Sequence, residues 1–302
     1  MMHTFDELAD LPNVLFGIAY QYAGPLSFEQ FFQDTAREWE QKHPGKHIRI
    51  ILTTSKESTD AILTDPVRSK QVAVVDMRYW EYQPDGTLFA PRAGENHAFR
   101  ELIAKAFPGY TDTPPATTPQ QVYRYVREYR DRYPDKALMP MEDGAGPMPI
   151  LMGGGASQSA LVGGRPPVPA TPLQNATAMY PTRTTSAAPA NLGPNQERIV
   201  DQFVRTHLNH TLMKLSPKDG WVADPERTWV LAGGPEDPVL IYSLSGDDIT
   251  LSNSLPAANY KAMWFDPHTG NVRDADSIAG TSRAALTKPD SHEWLLVLTP
   301  QH

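Results

Sequence analysis

Apolar and polar residues follow two different rhythms along this chain. Up to about residue 215, short apolar runs of strand length take turns with stretches of helical period. Residues 14–19 form an apolar run as long as a buried strand and too short for a helix. Gly24-Pro25 stops it and opens a helix, with Ser27 as the expected N-cap and Gln30 as its capping-box partner. Phe28, Phe31, Phe32, Thr35 and Trp39 recur at helical spacing and are expected to pack on the sheet, with Glu29, Gln33, Arg37, Glu40 and Lys42 on the other face. His43-Pro44-Gly45 ends that helix. Residues 48–54 and 72–77 read as further strands, with a short helix at 58–66 between them. The second run is continuously apolar, as parallel strands buried on both faces are. Helices are also expected at 98–107 and 119–133. Val122, Tyr125, Val126 and Tyr129 line the core face of the later one. Residues 135–144 read as a strand, and 149–155 as a shorter one ending in three glycines.

Residues 158–194 are rich in Pro, Ala, Thr and Gly and nearly uncharged, too long for an ordinary connection. A helix is expected from 195 to 215, its core stripe Ile199, Phe203, Leu208 and Leu212. From Trp221 onward the rhythm changes to short β-rich runs split by Gly233-Gly234, Gly246-Asp247 and Asp266-Pro267-His268-Thr269-Gly270. Strands at such regular spacing predict an antiparallel β-sandwich. The expected fold class is therefore α/β plus all-β, divided into residues 1–217 and 218–302.

Composition narrows the function. A chain of 302 residues is long enough for two cores. A net charge of −8 argues against wrapping a phosphate backbone, so nucleic acid is not an expected partner. No apolar run approaches the roughly 20 residues that span a bilayer, so no membrane contact is expected. Zero Cys excludes thiol catalysis, disulfides and Cys-based zinc sites. The 29 Pro are about twice the usual share of roughly 5%. The first residues carry neither a basic nor an apolar leader region, so the reading is a cytoplasmic protein or the later part of a longer secreted chain.

Candidate chemistry gathers where strands end, because parallel α/β folds place their sites at the C-terminal rim. Gln21 follows the first strand, Asp76 closes the strand at 72–77, and Glu142 stands at the C-terminal end of the strand at 135–144. Arg78-Tyr79-Trp80 is the densest polar-aromatic cluster. Aromatic faces beside hydrogen-bonding groups suit a carbohydrate pocket, and aromatics filling a loop core are the alternative. His97 stands at the rim, where a solvated role competes with a binding one. His207 and His210 lie three apart at metal-ligand spacing, but with no acidic or Cys partner in register no metal or other cofactor is expected.

Several of these stretches resemble a known family. "Asn-Val…Gln-Tyr-x-Gly", "Asp-Met-Arg-Tyr-Trp-Glu-Tyr-Gln-x-Asp-Gly", "Val-Arg-Glu-Tyr-Arg-Asp-Arg-Tyr-Pro-Asp-Lys" and "Leu-Met-Gly-Gly-Gly" are similar to the later strands of glycoside hydrolase (β/α)8 TIM-type barrels. "Leu-Ala-Gly-Gly…Val-Leu-Ile-Tyr", "Ala-Met-Trp-Phe-Asp-Pro-His-Thr-Gly" and "Glu-Trp-Leu-Leu-Val-Leu" resemble the β-sandwich of collagen-binding-domain type found behind such barrels. The resemblance implies a partial or complete barrel whose strands four to eight end at Gln21, Thr54, residues 77–79, Glu142 and Gly153. Strands one to three have no counterpart, so a missing N-terminal segment or a partner chain is expected to complete it. The family pattern places an acid/base Glu where Gln21 stands and a nucleophilic Glu at Glu142. Asp76, Glu81, Glu57 and Asp143 are possible substitutes for the acid/base. Two functions follow: a glycoside hydrolase acting on poly- or oligosaccharide with an impaired acid/base position, or a non-catalytic carbohydrate-binding or structural protein on a degenerate scaffold.

Overall fold

A computed structural model describes residues 1–19, 22, 24–77, 81–82, 88–89, 118–140, 145–156, 194–257, 259–280 and 285–301. The chain divides into two compact units, one of residues 1–116 and 129–141, the other of residues 117–128 and 142–302.

The first unit is built on parallel strands. Its elements are α1 (Met2–Leu8), α2 (Leu26–Lys42), β1 (Ile50–Leu52), α3 (Lys56–Thr64), β2 (Val72–Asp76), the β3–β4 pair (Glu81–Tyr82 and Leu88–Phe89), the end of α4 (Pro119–Arg132), and β5 (Ala137–Met139). The sheet order is β1-β2-β5, parallel throughout, with Leu52 opposite Val75 and Asp76 opposite Met139. The apolar run at 14–19 does not form a full ladder. It meets β1 through the parallel bridge Phe16–Ile50, held by the Phe16 and Ile51 amides, and beyond the run the Tyr22 amide holds a second bridge to Thr54, past the end of β1. Ile50, Leu52, Val75 and Met77 are fully buried, as a sheet covered on both faces requires.

Helix α2 departs from the expected arrangement in two ways. It starts at Leu26 with Pro25 as N-cap and no side-chain cap, so Ser27 does not cap it. Its buried face is Glu29, Phe32, Gln33, Ala36 and Trp39, while Phe28 and Phe31 are 43% and 54% exposed. Two overlapping stripes on this helix share Phe32 and Trp39, and Phe5 of α1 selects between them. Its ring lies 6.0 Å from Phe32, 6.1 Å from Trp39 and 5.2 Å from Phe16. Phe28 and Phe31 stack on each other instead, at 6.1 Å.

The second unit is dominated by a six-stranded antiparallel sheet of order β11-β10-β13-β8-β7-β6. In chain order its strands are β6 (Ser216–Pro217), β7 (Thr228–Ala232), β8 (Val239–Ser243), β10 (Asn259–Phe265), β11 (Val272–Ala279) and β13 (Trp294–Pro300). A two-stranded ribbon pairs β9 (Asp248–Thr250) with β12 (Ala285–Thr287). Every residue of β7 and β8 is buried, because both faces of the sheet are covered. Val230, Ile241, Ala262, Trp264 and Leu296 pack with Ile249, Leu251 and Leu286 at the ribbon. On the opposite face Trp229, Leu231, Leu240, Phe265 and Val297 pack against α5 (Pro147–Met152), α6 (Pro194–Phe203) and Tyr123 of α4. Tyr123 stacks on Trp229 at 4.2 Å and Phe203 on Phe265 at 3.8 Å. Each such buried large side chain contributes roughly 1.5–3 kcal/mol of transfer free energy.

Two helical segments correct the sequence expectation. The stretch at 149–155 is not a strand: residues 147–152 form α5, entered through Gly146 at φ 75° and opened by Pro147 in its first turn. The expected helix at 195–215 is α6 followed by a π turn (Val204–Leu208) and a 3-10 segment (Asn209–Lys214). The boundary falls between His207 and His210, so the two residues do not share one regular helix, and His207 stacks on Phe203 at 4.8 Å. Among the described residues no helix is long and apolar enough to cross a membrane.

Candidate functional site

The C-terminal ends of the parallel strands in the first unit bring polar side chains into the interior. β1 runs out through Thr53, Thr54 and Ser55, at 9%, 5% and 5% exposure, and β2 ends on Asp76 at 2%. Ser55 caps α3, accepting the Ser58 amide at 3.3 Å. The hydroxyls of Thr54, Ser58 and Thr59 are buried without hydrogen-bond partners among the described residues. A buried hydroxyl costs free energy unless water or another polar group reaches it. Of the sequence-predicted site residues, Asp76 stands at this rim, and Glu57, a possible substitute for the acid/base, is exposed in the first turn of α3. Gln21, Arg78, Tyr79, Trp80, His97 and Glu142 lie outside the described residues.

Glu29 is a carboxyl that sequence reasoning assigned to the solvent face. It is 2% exposed in the first turn of α2, just past the Tyr22–Thr54 bridge. Burial pushes its carboxyl up to about 7, because an ion there loses its hydration. Burial also raises the Tyr22 hydroxyl, as does the Glu29 charge, and that hydroxyl donates to the Pro25 carbonyl at 2.9 Å. The signal that could have found Glu29 is its place three and seven residues before Phe32 and Ala36, on the stripe that leads to Trp39. Below the rim, Tyr129 of α4 donates to Asp60 of α3, and Lys56 pairs with the same carboxylate at 2.7 Å.

A second polar cluster lies in the other unit, in a cleft of about 510 Å³ lined by Leu244, Asp266, His268, Asp290, Glu293 and Trp294, among others. Glu293 accepts from the Tyr242 hydroxyl at 2.7 Å and from His268 Nε2 at 2.9 Å. The Glu293 bond raises the His268 imidazole above its ordinary value, against the opposing effect of burial. The same carboxylate and burial push the Tyr242 hydroxyl well up, burial contributing most. Tyr242, His268 and Glu293 fall in three separate stretches that resemble the β-sandwich, and nothing in their spacing along the chain joins them into one cluster.

The fold of the chain has solved counterparts among glycoside hydrolases. A glycoside hydrolase family 5 protein from Bacteroides vulgatus superposes with a TM-score of 0.58 at 12% identity, covering 99% of this chain and 65% of its own. A structure described as a glycoside hydrolase gives 0.56 at 11% identity, with 99% and 67% covered. At such identities the likeness shows the fold alone: it is glycoside hydrolase-like, and the chain spans about two thirds of the length of these structures. By sequence the chain belongs to the family described as "Domain of unknown function (DUF6298)", which matches residues 1–165. Residues 222–299 match the family described as "Putative collagen-binding domain of a collagenase". No curated protein matches the chain.

Proposed function

We propose that this chain is a glycoside hydrolase-like protein that acts on a poly- or oligosaccharide at the C-terminal rim of its parallel sheet. The supporting observation is the rim itself: Thr54 and Asp76 are buried where their strands end, and Ser58 and Thr59 are buried at the start of α3, which follows β1. That is where a (β/α)8 barrel holds its site. Polyhydroxylated ligands both donate and accept, which matches a mixed carboxylate and hydroxyl surface. On this reading the parallel strands belong to a partial or complete barrel, and Arg78, Tyr79, Trp80 and His97 complete the sugar-binding rim.

Glu142 is the nucleophile in this proposal. Retaining hydrolysis uses two carboxyl groups about 5–5.5 Å apart, one attacking the anomeric carbon and one passing a proton to the leaving oxygen and back from water. Gln21 stands at the acid/base position and its amide cannot carry that proton. Loss of such help typically slows the reaction by about 10²–10⁴. The same amide favours a second reading, a carbohydrate-binding protein without turnover. Initial rates on a panel of aryl glycosides separate them. Turnover that Glu142→Gln abolishes and Gln21→Glu leaves intact or raises supports the hydrolase, whereas binding without turnover in all three proteins supports the second reading.

A further inference from the structure

Four side chains from separate elements of the second unit form one polar file. Tyr242 of β8 donates to Glu293 Oε2 at 2.7 Å, and the same oxygen lies 2.9 Å from His268 Nε2, in the turn between β10 and β11. His268 Nδ1 lies 3.5 Å from the amide nitrogen of Gln196 on α6. Gln196 is only 4% exposed, and its Oε1 has no hydrogen-bond partner among the described residues. That oxygen faces Gly146, the residue before α5, where a Cβ would stand 2.9 Å from it. His268 and Glu293 keep side-chain exposures of 33% and 30% at the cleft, so protons from solvent reach the ring.

The hydrogen inventory of this file permits two states. A carboxylate oxygen only accepts, so Nε2 of His268 carries a hydrogen toward Glu293. In the neutral ring Nδ1 is then bare and accepts an N–H from Gln196, leaving Oε1 without a partner. Protonation puts a second N–H on Nδ1, directly against the Gln196 amide nitrogen, donor facing donor. Turning the amide by about 180° around its last torsion, one of two nearly equivalent settings, removes the conflict. Oε1 then accepts from Nδ1 and the NH2 group turns toward Gly146.

We propose that Gln196 is a proton-responsive positioning residue whose amide reverses when His268 becomes charged, relaying the protonation of the cleft to the Gly146 backbone at the start of α5. The relay does not depend on whether the chain cleaves a sugar. The surrounding charges favour the switch. Glu293 and, in the same turn, Asp266 both stabilise the imidazolium, and burial opposes it. On the remaining side Asp290 and His292 hold each other at 3.1 Å, and Lys288 is buried close enough to feel both Asp290 and Glu293.

The test is an NMR titration of the full chain, with the His268 ring signal assigned through His268→Asn. In the unaltered protein the Gln196 side-chain NH2 signals should shift with the same midpoint as the His268 ring. Gln196→Leu removes the acceptor that the charged ring needs, so the His268 midpoint should fall by about half a pH unit or more. Gln196→Glu offers a permanent acceptor and should raise it. Gln196 amide signals that stay still while His268 titrates would overturn the proposal, even if neither variant folded. So would a His268 midpoint that is the same in both variants as in the original chain.

Discussion

Replacing Glu29 with glutamine should stabilise the protein at alkaline pH and leave it unchanged in acid. The carboxyl is 2% exposed, and burial lifts it from an ordinary 4.5 to about 7. A carboxyl that binds its proton more tightly when folded makes folding less favourable as pH rises from 4.5 through 7, and the penalty is then constant above 7. Two and a half pH units at 1.36 kcal/mol each give a penalty of about 3 kcal/mol above neutrality. Glutamine has nearly the same shape and no charge, so Glu29→Gln removes the penalty. Urea unfolding of both proteins at intervals from pH 4 to pH 8.5 measures it. The curves should coincide near pH 4 and separate in favour of the variant between about 5 and 7. A gap that does not grow with pH, or a variant that is the weaker protein at pH 8, would refute this account of Glu29.

The exposed face of α2 gives a second check. Phe31→Ser should change stability by no more than about 0.5 kcal/mol, whereas Phe32→Ala, one position on, should cost about 3–5 kcal/mol by denaturant unfolding. Tyr129→Phe removes the hydroxyl that donates to Asp60 and should destabilise by about 1–2 kcal/mol, measured in the same way. Gly146→Ala places a Cβ against Gln196 at a backbone φ of 75° and should lower stability by about 1–3 kcal/mol, read by thermal unfolding.

Much of the fold was legible because local pattern and tertiary demand agreed. Val122, Tyr125, Val126 and Tyr129 obey the helical period, and all four are nearly fully buried on α4. The apolar runs of β2, β7, β8 and β13 read as strands because both faces of their sheets are covered. Helix α2 could not be read to its end, since two stripes share Phe32 and Trp39 and a ring from another helix chooses between them. Helix α5 misled for a different reason. A six-residue apolar run has no period to reveal, and Pro147 after a glycine was its only helical mark. Asp76 was legible as an acid closing an apolar strand. Glu29 was not, because a buried carboxylate contradicts the pattern from which burial is inferred. The Tyr242, Glu293, His268 and Gln196 file joins residues far apart in the chain, and only the assembled sheet brings them within hydrogen-bonding reach.

The role proposed for Glu142 is that of the nucleophile that attacks the sugar. The most direct measurement is mass spectrometry of the protein digested after exposure to activated fluoroglycosides, which trap the covalent intermediate of a retaining enzyme. The account predicts one sugar added to the peptide that contains Glu142, and none in Glu142→Gln. A sugar carried by a different carboxylate, or steady turnover with no labelled peptide, would contradict it.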